Sequence, residues 1–391
     1  MTGLATLPRA VWLLGFVSLC NDAASELVYP LVPLYLAGVL MAGPRALGII
    51  EGIAEAVGSL VKLFAGVLAD RRRSMKPWVV AGYALAGAAR PLFAFASVWP
   101  TVAALRFADR LGKGLRAAPR DALLALSIRP EQRGLAFGVH RTMDNLGAVV
   151  GPLLAAALLA GGVPLREVFL WATLGGVAAV GLTLAIREPE HPPAAAHPFS
   201  WRMAGLSPRF KRYLLVLALF TLGNSSNMFL LLRAREVGVS EAQVPLLWAL
   251  VAAVAGVLST PLSALSDRLG RVRLIVAGWT VYGLVYLAFG LAGQTLTIWL
   301  LFAAYGLFMA ATEGAEKALV ADLVPRDRLG TAFGWFNLVA GIMLLPASFF
   351  FGSLWEGFGP RAAFAFGTGC ALLAALLLVY WVPRAKAVDG A

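Results

Sequence analysis

The sequence predicts an all-α membrane protein: twelve transmembrane helices arranged as two pseudo-symmetric six-helix bundles. Three observations carry that prediction. The 391 residues are 60% hydrophobic and 14% charged, with mean hydropathy +0.78, whereas soluble proteins carry about 25% charged residues. Apolar runs of about twenty residues, the length that crosses a bilayer as a helix, recur along the whole chain. Short motifs of the first half return at matching places in the second.

The runs place spans near 11–38, 46–69, 77–96, 100–122, 135–160 and 166–186, then near 212–234, 244–266, 274–294, 297–320, 331–352 and 362–383. Helices are required because backbone polar groups inside hydrocarbon must be satisfied within the segment. Between the two sets lies REPEHPPAAAHPFSWRMAGLSPRFKR, polar and rich in proline, which reads as a linker. The expected organisation is a first bundle over 1–186, a cytoplasmic linker over 187–211 and a second bundle over 212–391. No cleavable leader is expected, since the first apolar run continues to span length.

Charge placement sets the orientation. With the N-terminus in the cytoplasm, nineteen of the 33 basic residues fall in inward loops and five (Arg45, Arg166, Arg233, Arg235 and Arg361) in outward ones. That bias obeys the positive-inside rule and puts both termini in the cytoplasm. It also accounts for most of the net charge of +12, so a nucleic-acid partner is not expected. Cys20 and Cys370 both sit in apolar runs and are expected to be free thiols. His191 and His197 lie in the linker with no cluster of thiol or carboxylate ligands, and no metal site is expected.

Span four carries the densest charge. LRFADRLGKGLRAAPRD holds Arg106, then Asp109 or Arg110, Lys113, Arg116 and Arg120 at intervals of three or four, which stacks them on one helical face. Asp109 can meet Arg106 or Lys113 on that face. Such a stripe is too costly for lipid and must face protein or water. Arg106, Asp109 and Arg110 are expected at a cavity, and Arg116 and Arg120 at the cytoplasmic interface.

Other spans supply partners: Asn21, Asp22, Glu26 and Tyr29 in span one, Glu51 and Glu55 in span two, and His140, Arg141 and Asp144 in span five. Glu313 and Lys317 lie one turn apart in span ten, with Glu316 between them. The second half otherwise offers amides and aromatics: Asn224 and Asn227 in span seven, Asn337 in span eleven, and Phe220, Phe229, Trp248 and Tyr305 as cavity walls. A carboxylate that is neutral in one conformation and charged in another couples a proton to movement. Asp22, Glu26 and Asp144 are the leading candidates, with Glu313 as a second-half candidate and His140 as a relay beside Asp144. Gly147 and Gly151 allow close helix contact, and Pro152 loosens the ladder beside them.

GVLADRRRSMKP at 66–77 is answered by ALSDRLGRVR at 264–273, and PEQRGLAFG at 130–138 by PRDRLGTAFG at 325–334. Each pair follows equivalent spans, so the two halves are read as a duplication. With these motifs in place, the chain resembles a major facilitator superfamily transporter over nearly its whole length. Gly66, Asp70, Arg71, Arg72 and Arg73 follow that family's loop motif G-x-x-x-D-R-x-G-R-R without its internal glycine, and Asp267-Arg268-Leu269-Gly270-Arg271 follows its core. GAVVGP at 147–152 is similar to the G-x-x-x-G-P motif of drug/proton antiporters.

The resemblance implies the major facilitator fold and a secondary active transporter, not an enzyme. It implies proton-coupled efflux of small organic compounds by alternating access from a bacterial inner membrane. Asp70 and Arg71, with Asp267 and Arg268, would then hold the cytoplasmic side shut in the outward-facing state. Arg116, Glu131, Arg133 and Asp327 join them as gating or capping groups at the cytoplasmic helix ends, and Gly147, Gly151 and Pro152 as pivots. No nucleotide-binding loop is present, so an ion gradient is the expected energy source and no cofactor is expected. The expected partners are a small-molecule substrate, protons and membrane lipids, with the chain working as a monomer. Other readings of the same residues are export of an anionic metabolite or metal chelator, transport of a metal ion or lysolipid, and a non-transporting sensor or scaffold.

Overall fold

The computed structural model describes residues 7–70, 75–128, 133–188, 203, 205–324 and 329–382, with side chains at 66–70, 133–135, 263–268 and 329–331, and at 63, 122, 125, 137, 138 and 260, outside the description. The described residues form fourteen α-helices and one 3-10 turn. The first half holds α1 (Arg9–Val28), α2 (Leu31–Gly38), α3 (Pro44–Asp70), α4 (Lys76–Leu92), α5 (Trp99–Leu126), α6 (Arg133–Ala160) and α7 (Leu165–Leu184). The second holds α8 (Pro208–Gly223), α9 (Met228–Glu236), α10 (Val244–Leu269), α11 (Arg271–Leu291), α12 (Thr295–Asp322), α13 (Leu329–Phe358) and α14 (Pro360–Trp381).

Twelve crossings result because α1–α2 and α8–α9 are each one span with a break. Pro30, which has no N–H, opens the first break; the run Asn224 to Asn227 opens the second. The breaks stand at equivalent places of the two halves, roughly 200 residues apart like the repeated motifs. Nine helices among the described residues are long and apolar enough to cross a membrane. The other three crossings are α3 and α5, which carry charges midway, and α10, whose apolar stretch is Val244–Ser259.

Local signals set the helix ends. The Ser207 side chain caps α8 by accepting from Phe210 N at 3.1 Å, with Pro208 following. Gly270 and Gly359 have φ of 92° and 83°, the left-handed region, and each makes a one-residue turn between helices. The third span differs from its expected 77–96: Pro91 lies inside the last turn of α4, and the chain tightens to a 3-10 turn at Phe93–Phe95. The eleventh runs to Phe358, beyond the expected 352, because no break precedes Gly359.

Packing repeats between halves. In the first, α1 packs on α6 and α7, α5 on α3 and α4, and α4 on α7; in the second, α8 packs on α13 and α14, α12 on α10 and α11, and α11 on α14. The halves meet through α3 with α13, α6 with α10, and α2 with α9. Close approach demands glycine at that seam. A Cβ on Gly48 or Gly52 would overlap the α13 backbone at Ser348 or Leu345, and one on Gly352 would overlap Pro44. The seam runs to the side opposite the start of α1 and the end of α14, called the far side below. There Arg235 Nη1 donates to Leu34 O at 3.4 Å, and Arg45 N donates to Glu356 Oε2 at 3.3 Å. An arginine thus meets the last turn of α2 and a glutamate the first turn of α3, both signs matching the helix dipoles.

Candidate functional site

Between the halves lies a cavity of two joined chambers, about 410 Å³ in the deep one and 630 Å³ in the outer one. Both chambers share Glu26, Trp248, Met309 and Glu313. The deep chamber is lined by aromatic and carboxylate side chains together, and the outer one by Arg120, His140, Arg141, Asp144 and Lys317 among others.

Behind the first-half wall is a buried ion-pair cluster. Arg90, Arg106, Asp109 and Glu51 are 2%, 3%, 2% and 1% exposed. Arg106 grips Glu51 through two bonds of 2.7 and 2.9 Å. Asp109 pairs with Arg90 at 2.9 Å and lies 3.6 Å from Arg106 and 3.7 Å from Arg110. Arg110 in turn reaches Glu55 at 2.7 Å. Arg90 also donates to Asn21 O and Oδ1, both at 3.0 Å, which ties α1 to α4 and α5. Each buried charge therefore has an opposite neighbour, the condition under which burial is tolerable.

Contacts cross from this cluster to the second half. Ser226 Oγ donates to Glu51 Oε2 at 3.3 Å. The Arg106 guanidinium stands 5.6 Å from the centre of the Tyr29 ring, and Tyr29 packs 5.1 Å from Trp248. Trp248 Nε1 then donates to Glu26 Oε2 at 2.7 Å. Glu316 has an analogous partner, Trp279 Nε1 at 2.9 Å. At the outer chamber Arg141 meets Glu313 across the halves at 3.2 Å, and Lys317 meets the same carboxylate at 3.0 Å. Asp144 accepts from Ser18 and lies 3.6 Å from His140 Nδ1, while Arg120 reaches Ser18 Oγ at 3.3 Å.

The structure sorts the expected residues. Glu26, Tyr29, Glu51, Glu55, Arg110, Asn224, Asn227, Trp248, Tyr305 and Glu313 line the deep chamber, while His140, Arg141, Asp144 and Lys317 line the outer one. Arg106, Asp109 and Asn21 do not face either chamber; they belong to the buried cluster. Asp22 lies beside Asn21, whose Nδ2 donates to it at 2.7 Å, and lines neither chamber.

Asn337 is a correction. It is exposed away from both chambers and donates to Phe333 O on its own helix, because a polar side chain there satisfies itself one turn back. Phe229 is another: it packs on Phe351 and Trp355, since the break in span seven resets the helical phase. Arg116 is 4% exposed and stacks 4.6 Å from the Tyr83 ring centre instead of reaching the interface.

Asp109 takes Arg90, not Lys113, as its nearest cation. Arg90 is the residue that sequence reasoning missed. Its signal was present as a lone arginine in the otherwise apolar span three. Gly147 and Gly151, with Pro152 beside them, sit where α6 touches the α1 backbone between Leu19 and Leu27. Arg71, Glu131 and Asp327 lie outside the described residues, as do the side chains of Asp70, Arg133, Asp267 and Arg268.

Two broken-helix bundles closed on one side around a charged, aromatic chamber define the class of alternating-access membrane transporters. The chain belongs to the Major Facilitator Superfamily, whose sequence model matches residues 14–233 and 213–390. It is an integral membrane protein that moves small molecules by secondary active transport, not an enzyme. An uncharacterised MFS-type transporter of Methanocaldococcus jannaschii is 32% identical, over 96% of this chain and 95% of that one. The multidrug resistance protein MdtH of Salmonella arizonae is 26% identical, over 84% and 81%. Among solved structures, a POT family transporter in complex with a thioalcohol-conjugated peptide shares the fold, with a TM-score of 0.82, 13% identity and 98% of both chains covered.

Proposed function

We propose that this chain is a proton-coupled exporter of small organic compounds, with both termini in the cytoplasm and the cavity here opening inward. The observation that carries the reading is Glu26. It lines both chambers, and its hydrogen-bond partner is a neutral indole from the opposite half. A carboxylate held by one neutral donor is free to exchange a proton for substrate, whereas Glu51, Glu55 and Glu313 are each held by cations. The bond to Trp248 also crosses the moving interface, so protonation and rocking of the halves act on the same contact. Support for export comes from the span-five glycine motif and from the likeness to a protein named for multidrug resistance.

In the outer chamber, Asp144 and His140, with Ser18 bonded to Asp144 behind them, supply a polar route between Glu26 and the cytoplasm. Asp70 and Asp267, with the arginines that follow them, close that side when the far-side seam opens. The test uses purified protein in liposomes holding a pH-sensitive dye. A panel of organic cations, acids and zwitterions is added under an imposed pH gradient. The expected result is that at least one compound drives proton movement in the opposite direction, and that Glu26→Gln abolishes this movement while retaining compound-for-compound exchange at saturating compound. Compound flux with no linked proton movement would remove the proposal.

A further inference from the structure

The deep chamber contains charges that the protein itself leaves unmatched. Among the described residues, Lys113 makes no ion pair within 4 Å, although it faces the chamber one turn beyond Arg110. Glu26 also faces it and, among the described residues, is held by a single indole N–H. Water can solvate both while the chamber is empty. A bound compound displaces that water, and each charge then needs an opposite group or pays for its desolvation.

A purely cationic ligand would satisfy Glu26 and leave the ammonium of Lys113 facing its apolar body. A purely anionic one would do the reverse. We infer that the deep chamber takes a zwitterionic organic compound, with its ammonium at Glu26, its carboxylate at Lys113 and an aromatic or apolar body between. This rests on the proposed export of small organic compounds and narrows their class.

Two further features fit that ligand. The chamber's 410 Å³ suits a molecule of amino-acid to dipeptide size, and Tyr29, Phe220, Trp248 and Tyr305 give it aromatic walls. The break in span seven adds hydrogen-bonding capacity. Ser225 is 2% exposed and lines the chamber, with the Tyr286 hydroxyl as its neighbour. The Ser225 hydroxyl can accept from Tyr286 and donate to a ligand oxygen.

The test is binding, read as thermal stabilisation of the purified chain in detergent without any gradient. Three probes share one ring and differ only in charge: phenylalanine, phenethylamine and 3-phenylpropionate. Phenylalanine is expected to bind about tenfold or more tightly than either single-charge probe. Lys113→Met should reduce phenylalanine to the level of phenethylamine, and Glu26→Gln to the level of 3-phenylpropionate. Phenethylamine binding as tightly as phenylalanine overturns the inference, as does absence of binding by all three. Both of those outcomes are read on the unsubstituted protein, so a variant that fails to fold leaves the test intact. Binding with this preference but no proton flux in liposomes would refute the coupling mechanism and leave the zwitterion site standing.

Discussion

Replacing Asp109 by leucine should destabilise the first bundle far more than a surface change would. The carboxylate faces Arg90 at 2.9 Å, Arg106 at 3.6 Å and Arg110 at 3.7 Å, and all four groups are buried. Arg106 and Arg110 keep Glu51 and Glu55, but among the described residues Arg90 keeps only the oxygens of Asn21. Removing one partner of a buried pair costs about 3–5 kcal/mol, because the other charge stays buried. Unfolding entropy of about 2.1 cal/mol/K per residue converts this, for a chain of this length, to a midpoint lowered by about 4–6 °C. Scanning fluorimetry in detergent at one fixed scan rate measures it, since unfolding of such proteins is often irreversible. Arg90→Met should cost less, since Asp109 keeps Arg106 and Arg110. The double variant should recover most of the loss, because replacing both charges leaves neither stranded. A double variant whose loss equals the sum of the two single losses would refute the pairing.

Gly151→Ala should lower the melting midpoint, since its Cβ would press on Ala23 O and Leu27 N of α1, an overpacking of about 1–3 kcal/mol; Gly181→Ala, with nothing within 4 Å, should leave it unchanged or higher. Combining Arg235→Ala with Glu356→Ala removes both dipole contacts on the far side. Reaction of a Ser348→Cys probe with a membrane-impermeant thiol reagent from that side should rise several-fold, and an unchanged rate would deny those contacts a role in closure. Trp248→Phe keeps the ring beside Tyr29 but deletes the donor to Glu26. Proton-coupled flux should fall about tenfold or more, as expected for a lost hydrogen bond to a charged group, with aromatic probes still bound.

Much of the architecture is legible in sequence because lipid imposes a simple length rule and the duplication supplies a check. The Asp-Arg pairs at 70–71 and 267–268 align the halves, and the breaks at Pro30 and Asn227 fall in the same register. The stripe on α5 is equally legible, since three- and four-residue spacing fixes a shared face. Which neighbour that face meets is a matter of packing. Asp109 chose Arg90 because α4 lies against α5, and nothing local to either segment encodes that contact. Phe229 shows a second limit: periodicity counted through span seven fails where Asn224 to Asn227 leave the helix. Polarity inside a span also overstates cavity exposure, as Asn21 and Asn337 demonstrate by finding partners within the protein.

The most direct test of proton-coupled export is proton movement driven by a transported compound in liposomes, compared between the native chain and Glu26→Gln. The native chain should move protons against the compound, and Glu26→Gln, at saturating compound, should exchange it without moving them. Equal proton movement in both would contradict coupling through Glu26.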